Sequence, residues 1–463
     1  MLLERLFDEG LAQATYLVGC EETKSAIIVD PGRDVQRFID AAKHHRMRIE
    51  YVTETHIHAD FVSGARELAA QTSAALLLSG EGDADWQYRY DARRVYGGDT
   101  INVGTVRIQV RHTPGHTPEH LAFLITDTLV SDQPLGLLSG DFIFVGDVGR
   151  PDLLERAAGH AGTMDALARR LFASLQATKH LPGHLQVWPG HGAGSACGKA
   201  LGALPSTTIG YERLTNWAFQ IDDEEQFIKS VLEDQPEPPK YFARMKTTNR
   251  DGPAPMPTAP LPELALAEVT AALKNDDPVI DVRSTADFAR GHIPGTINLP
   301  TGTSFATWAG SLLKPGRPIT ILADEMTRVE RARMLLAEIG LDHVAGFALR
   351  PVREQWAAEN PLQTTPQMDV KSRSEVDGRV VIDVRGISEW RAGHLPGATH
   401  LFLGDLAETS AKLPRDTPIA VYCQGGTRSA IAASLLQAKG FTKVTNLQGG
   451  ITAWKGAGLP VEQ

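Results

Sequence analysis

The sequence predicts an α/β protein of several domains, and three observations predict it. Along the first half, short apolar runs ending in Gly/Pro turns alternate with helix-like segments. A proline-rich stretch near residue 250 interrupts that pattern. A motif-bearing segment then recurs about one hundred residues further on, too far apart for a solenoid and the right size for two small domains. At 463 residues the chain is also too long for one ordinary hydrophobic core.

In the first region, ATYLVG, SAIIVDPG and IEYVTET read as buried strands bounded by turns. GARELAAQ reads as a helix, and TVRIQVRHTPGHT and LAFLIT bring further strands. Strands alternating with helices imply sheets covered by helices, and residues 1–244 are assigned to this domain. MKTTNRDGPAPMPTAPLP, Met245 to Pro262, shows neither a helical nor a strand period, so residues 245–260 read as a linker. The repeat follows. PVIDVRSTADFARGHIPGTINLP and VVIDVRGISEWRAGHLPGATHLF share IDVR, an aromatic, an arginine, GH and a PG turn. They define domains at 261–366 and 367–463.

Composition narrows the function. Hydrophobic residues make up 42% and charged residues 22%, as in soluble globular proteins. A net charge of -10 gives no electrostatic reason to bind nucleic acid or anionic membrane. No apolar run is long enough to span a bilayer, and the early acids of MLLERLFDEG argue against a signal peptide. The three cysteines, Cys20, Cys197 and Cys423, are odd in number and far apart, so the expectation is a reducing, cytoplasmic setting without disulfides.

Each repeat continues with a strand, a loop and a helix, a geometry that cradles anions. In VYCQGGTRSA the strand ends at Cys423. The backbone N–H groups of Gln424, Gly425, Gly426, Thr427, Arg428 and Ser429 can converge on its sulfur. A helix N-terminus and Arg428 there favour thiolate over thiol. A cysteine that merely fills a strand end is the plainer alternative. The corresponding loop of the first copy places Ala323 at the cysteine position, followed by Asp324 and Glu325, and that copy has no cysteine at all. It reads as catalytically silent, serving as an interface, a spacer or an oligomer contact.

A second set of polar residues sits on turns in the first region. THIHADF carries His56, His58 and Asp60, RHTPGHTPEH carries His116, SGDFIFVGDVGRPD carries Asp141 and Arg150, and VWPGHGAGSAC carries His191 and Cys197. Separate turn-borne His and Asp signals of this kind point to a metal. Phe61 stands where a further ligand would be expected.

The motif order HxHxD, GHT, GD, PGHG resembles the metallo-β-lactamase superfamily over about residues 10–200, and within it the persulfide dioxygenase branch. The C-terminal copy, with IDVR, GHLPGA, the cysteine loop and NLQGGITAW, resembles the rhodanese sulfurtransferases. Together they resemble a persulfide dioxygenase–rhodanese fusion. The resemblance implies an N-terminal αββα sandwich followed by two rhodanese-like α/β domains. It implies one Fe(II) per chain on His56, His116 and Asp141, with His58, Asp60 and His191 in support. Such a facial triad leaves positions for O2 and substrate. Cys423 would carry sulfane sulfur and Arg428 would hold its anionic donor or acceptor. Arg150 would position an anionic persulfide or sulfite, or else form a structural ion pair. Cys197 would contact the substrate, or else be a small buried hydrophobe. Phe61 argues for one metal, because Asp60, His191 and a bridging Asp141 are a poor set for a second zinc.

The implied chemistry is oxidation of a small-molecule persulfide (of glutathione, coenzyme A or bacillithiol) by O2 to sulfite, and transfer of sulfur to sulfite giving thiosulfate. A homo-oligomer is expected, given a silent domain kept in the chain. Two alternatives stand beside this: a zinc thioesterase of the glyoxalase II type fused to a sulfurtransferase, and a sulfur carrier or sensor.

Overall fold

The strand Gln13–Cys20 is buried along its whole length, which happens only when both faces of a sheet are covered. Ala14, Tyr16 and Val18 point inward to meet Ile108, Val110, Phe123 and Leu138 of a second sheet. Leu17, between them, points outward to join Phe38 and Leu68 of the helices Val35–His44 and Ala65–Thr72. The far side of the second sheet is covered in the same way: Leu124, Leu137 and Val187 meet Leu171 and Phe227 of the helices Met164–Thr178 and Glu224–Leu232. Period-two alternation thus builds four layers, helix, sheet, sheet and helix. The computed structural model describes residues 1–158, 162–199, 201–369 and 376–463.

Among the described residues both sheets of this first unit have six strands. The chain divides into Met1–Met256 with Ala337–Gly340, and Pro257–Leu336 with Leu341–Gln463. The linker expected at 245–260 is corrected at its start, because Phe242–Asp251 is a helix that buries Met245 and Asn249. Its inner stripe is Phe242, Met245 and Asn249, of which only two are apolar, among polar neighbours, too sparse to register as a period in the sequence.

The second unit holds two parallel sheets of like topology. One runs Ile297–Asn298, Val279–Asp281, Ile319–Leu322, Val344–Ala348. The other runs Thr399–His400, Val380–Asp383, Ile419–Tyr422, Val444–Leu447, Gln367–Met368. The shared motif has the same job in both. Arg283 closes a fork on Asp281 at 2.9 and 2.6 Å and reaches the Gly291 carbonyl at 3.0 Å. Arg385 does the same with Asp383 at 3.0 and 2.6 Å and with the Gly393 carbonyl at 2.7 Å. The GH histidines stack on the motif aromatics, His292 on Phe288 at 3.7 Å and His394 on Trp390 at 3.5 Å between ring centres. The two copies touch through the helix Thr427–Ala438, whose residues Ser429 to Gln437 are all buried. The Asn298 amide donates to its Ser434 hydroxyl at 3.0 Å, and Thr365 donates to its Gln437 at 2.8 Å. Among the described residues no helix is long and apolar enough to cross a membrane.

Candidate metal centre and cysteine loop

Four loops of the first unit bring the metal candidates together. His56, His58 and Asp60 follow the strand Arg48–Thr53, and His116 lies between Val106–His112 and Leu121–Asp127. Asp141 follows Gly136–Gly140, and His191 follows Gln186–Pro189. The glycine of the PGH turn is needed there, since a Cβ on Gly190 would lie 2.7 Å from Asp141 Oδ1.

One ligand atom each from His56, His116 and Asp141 lies within 4.8 Å of the others, all buried. Hydrogen bonds fix which ring nitrogen is bare. His116 Nδ1 donates to the Arg150 carbonyl at 3.0 Å, so its Nε2 keeps a lone pair. Thr55 gives its hydroxyl proton to Asp30 and therefore accepts from His56 Nδ1 at 2.9 Å, leaving His56 Nε2 bare. His56 Nε2 and both Asp141 oxygens are buried with no hydrogen-bond partner. Orphaned buried acceptors in this number are costly unless a cation meets them. Burial, then the neighbouring histidines His58 and His116, hold His56 well below its ordinary value; burial brings His116 down to about 4. Both rings are neutral donors. Burial pushes Asp141 up to about 6, a charge that a metal ion would restore. The residues present fit a 2-His-1-carboxylate ion.

His58 is in a different state. Burial pushes it down, but Asp30, 3.1 Å from its Nε2, and then Asp60 outweigh that and lift it to about 9. Asp30 thus holds the ring by Nε2, while its Nδ1 is buried without a hydrogen-bond partner, 3.9 Å from Asp60 Oδ1. The ring of Phe61, fully buried, packs on it at 4.3 Å. Asp60 Oδ2 lies 3.3 Å from His191 Nε2, which is itself 3.5 Å from Asp141 Oδ1.

Cys197 joins Asp60 and His191 in a second group whose ligand atoms lie within 4.8 Å of one another. Burial, then Asp60 and Asp141, push its thiol well up, so it is an S–H donor rather than a thiolate. Arg150 departs from the expected anion clamp. Its guanidinium is fully buried, closes a fork on Asp152 at 2.8 and 2.8 Å, and donates to the Ala196 carbonyl at 3.1 Å. The partner sits two residues away, and with the fork closed Arg150 orders the 141–152 turn and presents its own carbonyl to His116.

Sequence reading missed several residues that hold this centre. Asp30, at φ +55°, grips Thr55 and His58. His120 accepts from the Asp141 amide at 3.1 Å, and Glu119 accepts from the Ile57 amide at 2.7 Å. Tyr241 donates to the Asp60 carbonyl at 2.8 Å, and Asn249 donates to the carbonyls of His58 and Phe61. An aspartate before a Pro-Gly turn and a PEH tail on the histidine motif were the available signals.

In the second unit Cys423 ends the strand Ile419–Tyr422, buried, with the Gly426 amide donating to its sulfur at 3.1 Å and the Ser429 hydroxyl at 3.5 Å. Donors aimed at the sulfur stabilise negative charge there. Gln424 donates to Thr452, while Gly425 and Thr427 line the hollow above the sulfur. Gly450, at φ +55°, allows the close approach behind: a Cβ would lie 2.1 Å from the Cys423 carbonyl, which accepts from the Ile451 amide at 2.8 Å. Arg428, expected to hold the anionic donor or acceptor, is bidentate on Glu389 at 2.6 and 2.7 Å. In the other copy Ala323 is buried, Asp324 pairs with Arg353 at 2.7 Å, and the space beside them is about 10 Å³. That is too small for an anion.

The metallo-β-lactamase superfamily model matches residues 8–191, and the rhodanese-like domain model matches residues 265–348 and 367–457. A crystal structure of a metallo-β-lactamase from Staphylococcus aureus is 40% identical, covers 75% of this chain and 99% of its own, and superposes with a TM-score of 0.68. Mitochondrial persulfide dioxygenase ETHE1 of Bos taurus is 27% identical over 196 residues, 41% of this chain and 68% of that protein. A hydroxyacylglutathione hydrolase of Nitrosococcus oceani is 30% identical over 193 residues, 41% of this chain and 66% of that protein.

Proposed function

Because the chain belongs to the metallo-β-lactamase superfamily in its first unit and carries two rhodanese-like domains in its second, we propose a bifunctional sulfur-oxidising enzyme. The first activity oxidises the outer sulfur of a low-molecular-weight persulfide: RSSH, O2 and water give RSH, sulfite and two protons. The second passes sulfane sulfur through Cys423 to sulfite, giving thiosulfate. The observation that carries the reading is the buried His56–His116–Asp141 triad with its bare acceptors.

Those three residues would hold one Fe(II), which would supply the activation of O2. Thr55 and the Arg150 carbonyl fix the tautomers of the two histidines. Asp60, raised to about 6 by burial, and His191 beside it form a pair able to take protons released by the oxidation. The Cys197 thiol lies with that pair, a place from which it orients substrate sulfur. Phe61 excludes water behind His58. In the second unit the Cys423 loop does the covalent work.

The test is O2 uptake by the Fe(II)-loaded chain with glutathione, coenzyme A or bacillithiol persulfide. Cys423→Ser should release sulfite and no thiosulfate; absence of O2 uptake with every persulfide would sink the proposal. A zinc thioesterase is the second reading, favoured by the Asp60–His191–Cys197 group and by the hydrolase relative. About two zinc per chain with thioester hydrolysis would establish it, and one iron with O2 uptake excludes it.

A further inference from the structure

Cys423 lies at the wall of a hollow of about 520 Å³, and much of that wall is not its own. Leu299, Pro300, Phe305 and Trp308 of the cysteine-free copy line it, opposite Cys423 and Ile431. The segment is held in place from both ends. Asn298, at its start, is bonded to Ser434 of the helix that springs from the cysteine loop. Trp308, at its end, meets Phe402 of the cysteine-bearing copy edge-on at 6.1 Å.

The character of the hollow selects a ligand. Among the described residues Arg428 is the one charged residue lining it, and Glu389 neutralises that charge. A small inorganic dianion entering here gives up its water and meets, among the described residues, loop amides and an arginine already paired with Glu389. An organic persulfide places its carbon chain on the aromatic wall instead, and the hydroxyls of Thr303, Ser304 and Thr307 can bond amides along that chain.

We infer that the cysteine-free copy is the specificity wall of the sulfur-transfer site. Trp308 and Phe305 receive the uncharged, amide-bearing arm of an organic persulfide, so that Cys423 is loaded from RSSH in preference to thiosulfate. The inference rests on Cys423 being the sulfur carrier proposed above. In the loading step the Cys423 thiolate attacks the outer sulfur of RSSH. A new S–S bond forms, the old one breaks, RSH leaves with the proton, and Cys423 carries the persulfide anion. Sulfite then attacks that outer sulfur, the Cys423 S–S bond breaks, and thiosulfate leaves with regeneration of the thiolate. No outside oxidant or reductant is needed. The copy without a thiol therefore acts as more than a spacer: it selects what the other copy accepts.

The experiment uses the full chain and two donors, pantetheine persulfide (an uncharged amide arm) and thiosulfate (a dianion). Loading of Cys423 is read by mass spectrometry and by steady-state transfer. Trp308→Ala should lower the ratio of kcat/KM for pantetheine persulfide over thiosulfate about tenfold, the scale of a lost apolar contact in a pocket, chiefly through KM. Trp308→Arg, which puts a cation in the hollow, should push the ratio further toward thiosulfate. Trp308→Phe should restore most of it, and Phe305→Leu offers a milder cut should the alanine variant fold poorly. An unchanged ratio in the Ala, Arg and Leu variants would overturn the wall. If neither donor loads Cys423 in the unaltered chain, the sulfur-carrier reading falls and takes the wall with it.

Discussion

Asn249 offers a sharp test of what holds the metal loop. It is fully buried, donates to the carbonyls of His58 and Phe61 at 2.8 and 2.8 Å, and accepts from the Ser63 amide at 2.9 Å. These bonds clamp residues 58–63 immediately after His56. Each is worth about 1 kcal/mol net, and truncation strands two carbonyls and an amide, so Asn249→Ala should cost about 3–5 kcal/mol. With a urea slope of about 3 kcal/mol/M for a unit of this size, the midpoint should fall by roughly 1 M or more. Asn249→Asp keeps size and the Ser63 bond but aims carboxylate oxygen at two carbonyls, and should be at least as damaging. The assay is urea unfolding of the full chain loaded with Co(II), whose visible band reports the triad. Bound metal should be lost earlier, with affinity lower by about 10–100-fold. A midpoint and metal affinity unchanged in the Asp variant would refute the clamp.

Phe61→His should raise zinc content from one toward two per chain by adding a ligand next to Asp60; an unchanged count by elemental analysis would contradict the role given to Phe61. Gly450→Ala sets a Cβ 2.1 Å from the Cys423 carbonyl and should slow persulfide formation on Cys423 by about a hundredfold while leaving metal content alone. Burial raises the Glu389 carboxyl, but Arg428 outweighs it and holds it below its ordinary 4.5. The pair therefore stabilises the fold above that pH and loses its effect as pH falls through the depressed value. Glu389→Gln should lower the melting temperature near neutrality and narrow the gap to wild type at acid pH, and a constant gap across pH 3 to 7 would contradict this.

What the sequence made legible was what lies close in the chain. HIHAD, PGHTP and the cysteine loop put their functional atoms within a few residues of one another, and the turns that carry them have turn residues. IDVR and GH marked two copies, and the missing cysteine told one from the other. The residues that were not legible act across distance. Asp30 reaches Thr55 and His58, and Asn249 reaches His58 from helix Phe242–Asp251, whose polar face hid it in an apparent linker. Arg150 and Arg428 were visible as arginines, but sequence alone could not say that each fork was already closed on an acid. The Trp308 wall needed the two copies side by side, and no spacing within either one encodes that.

The twin forks have a consequence for how such chains are counted. Arg283 on Asp281 and Arg385 on Asp383 match to within 0.1 Å in the bonds they make, although only one copy has a thiol. The conspicuous signature is therefore a hinge pin of the fold, indifferent to whether chemistry follows. A census keyed on it would enrol both copies as catalysts. The informative letter is the single one after the strand, cysteine at 423 and alanine at 323, and the same fold is held with either.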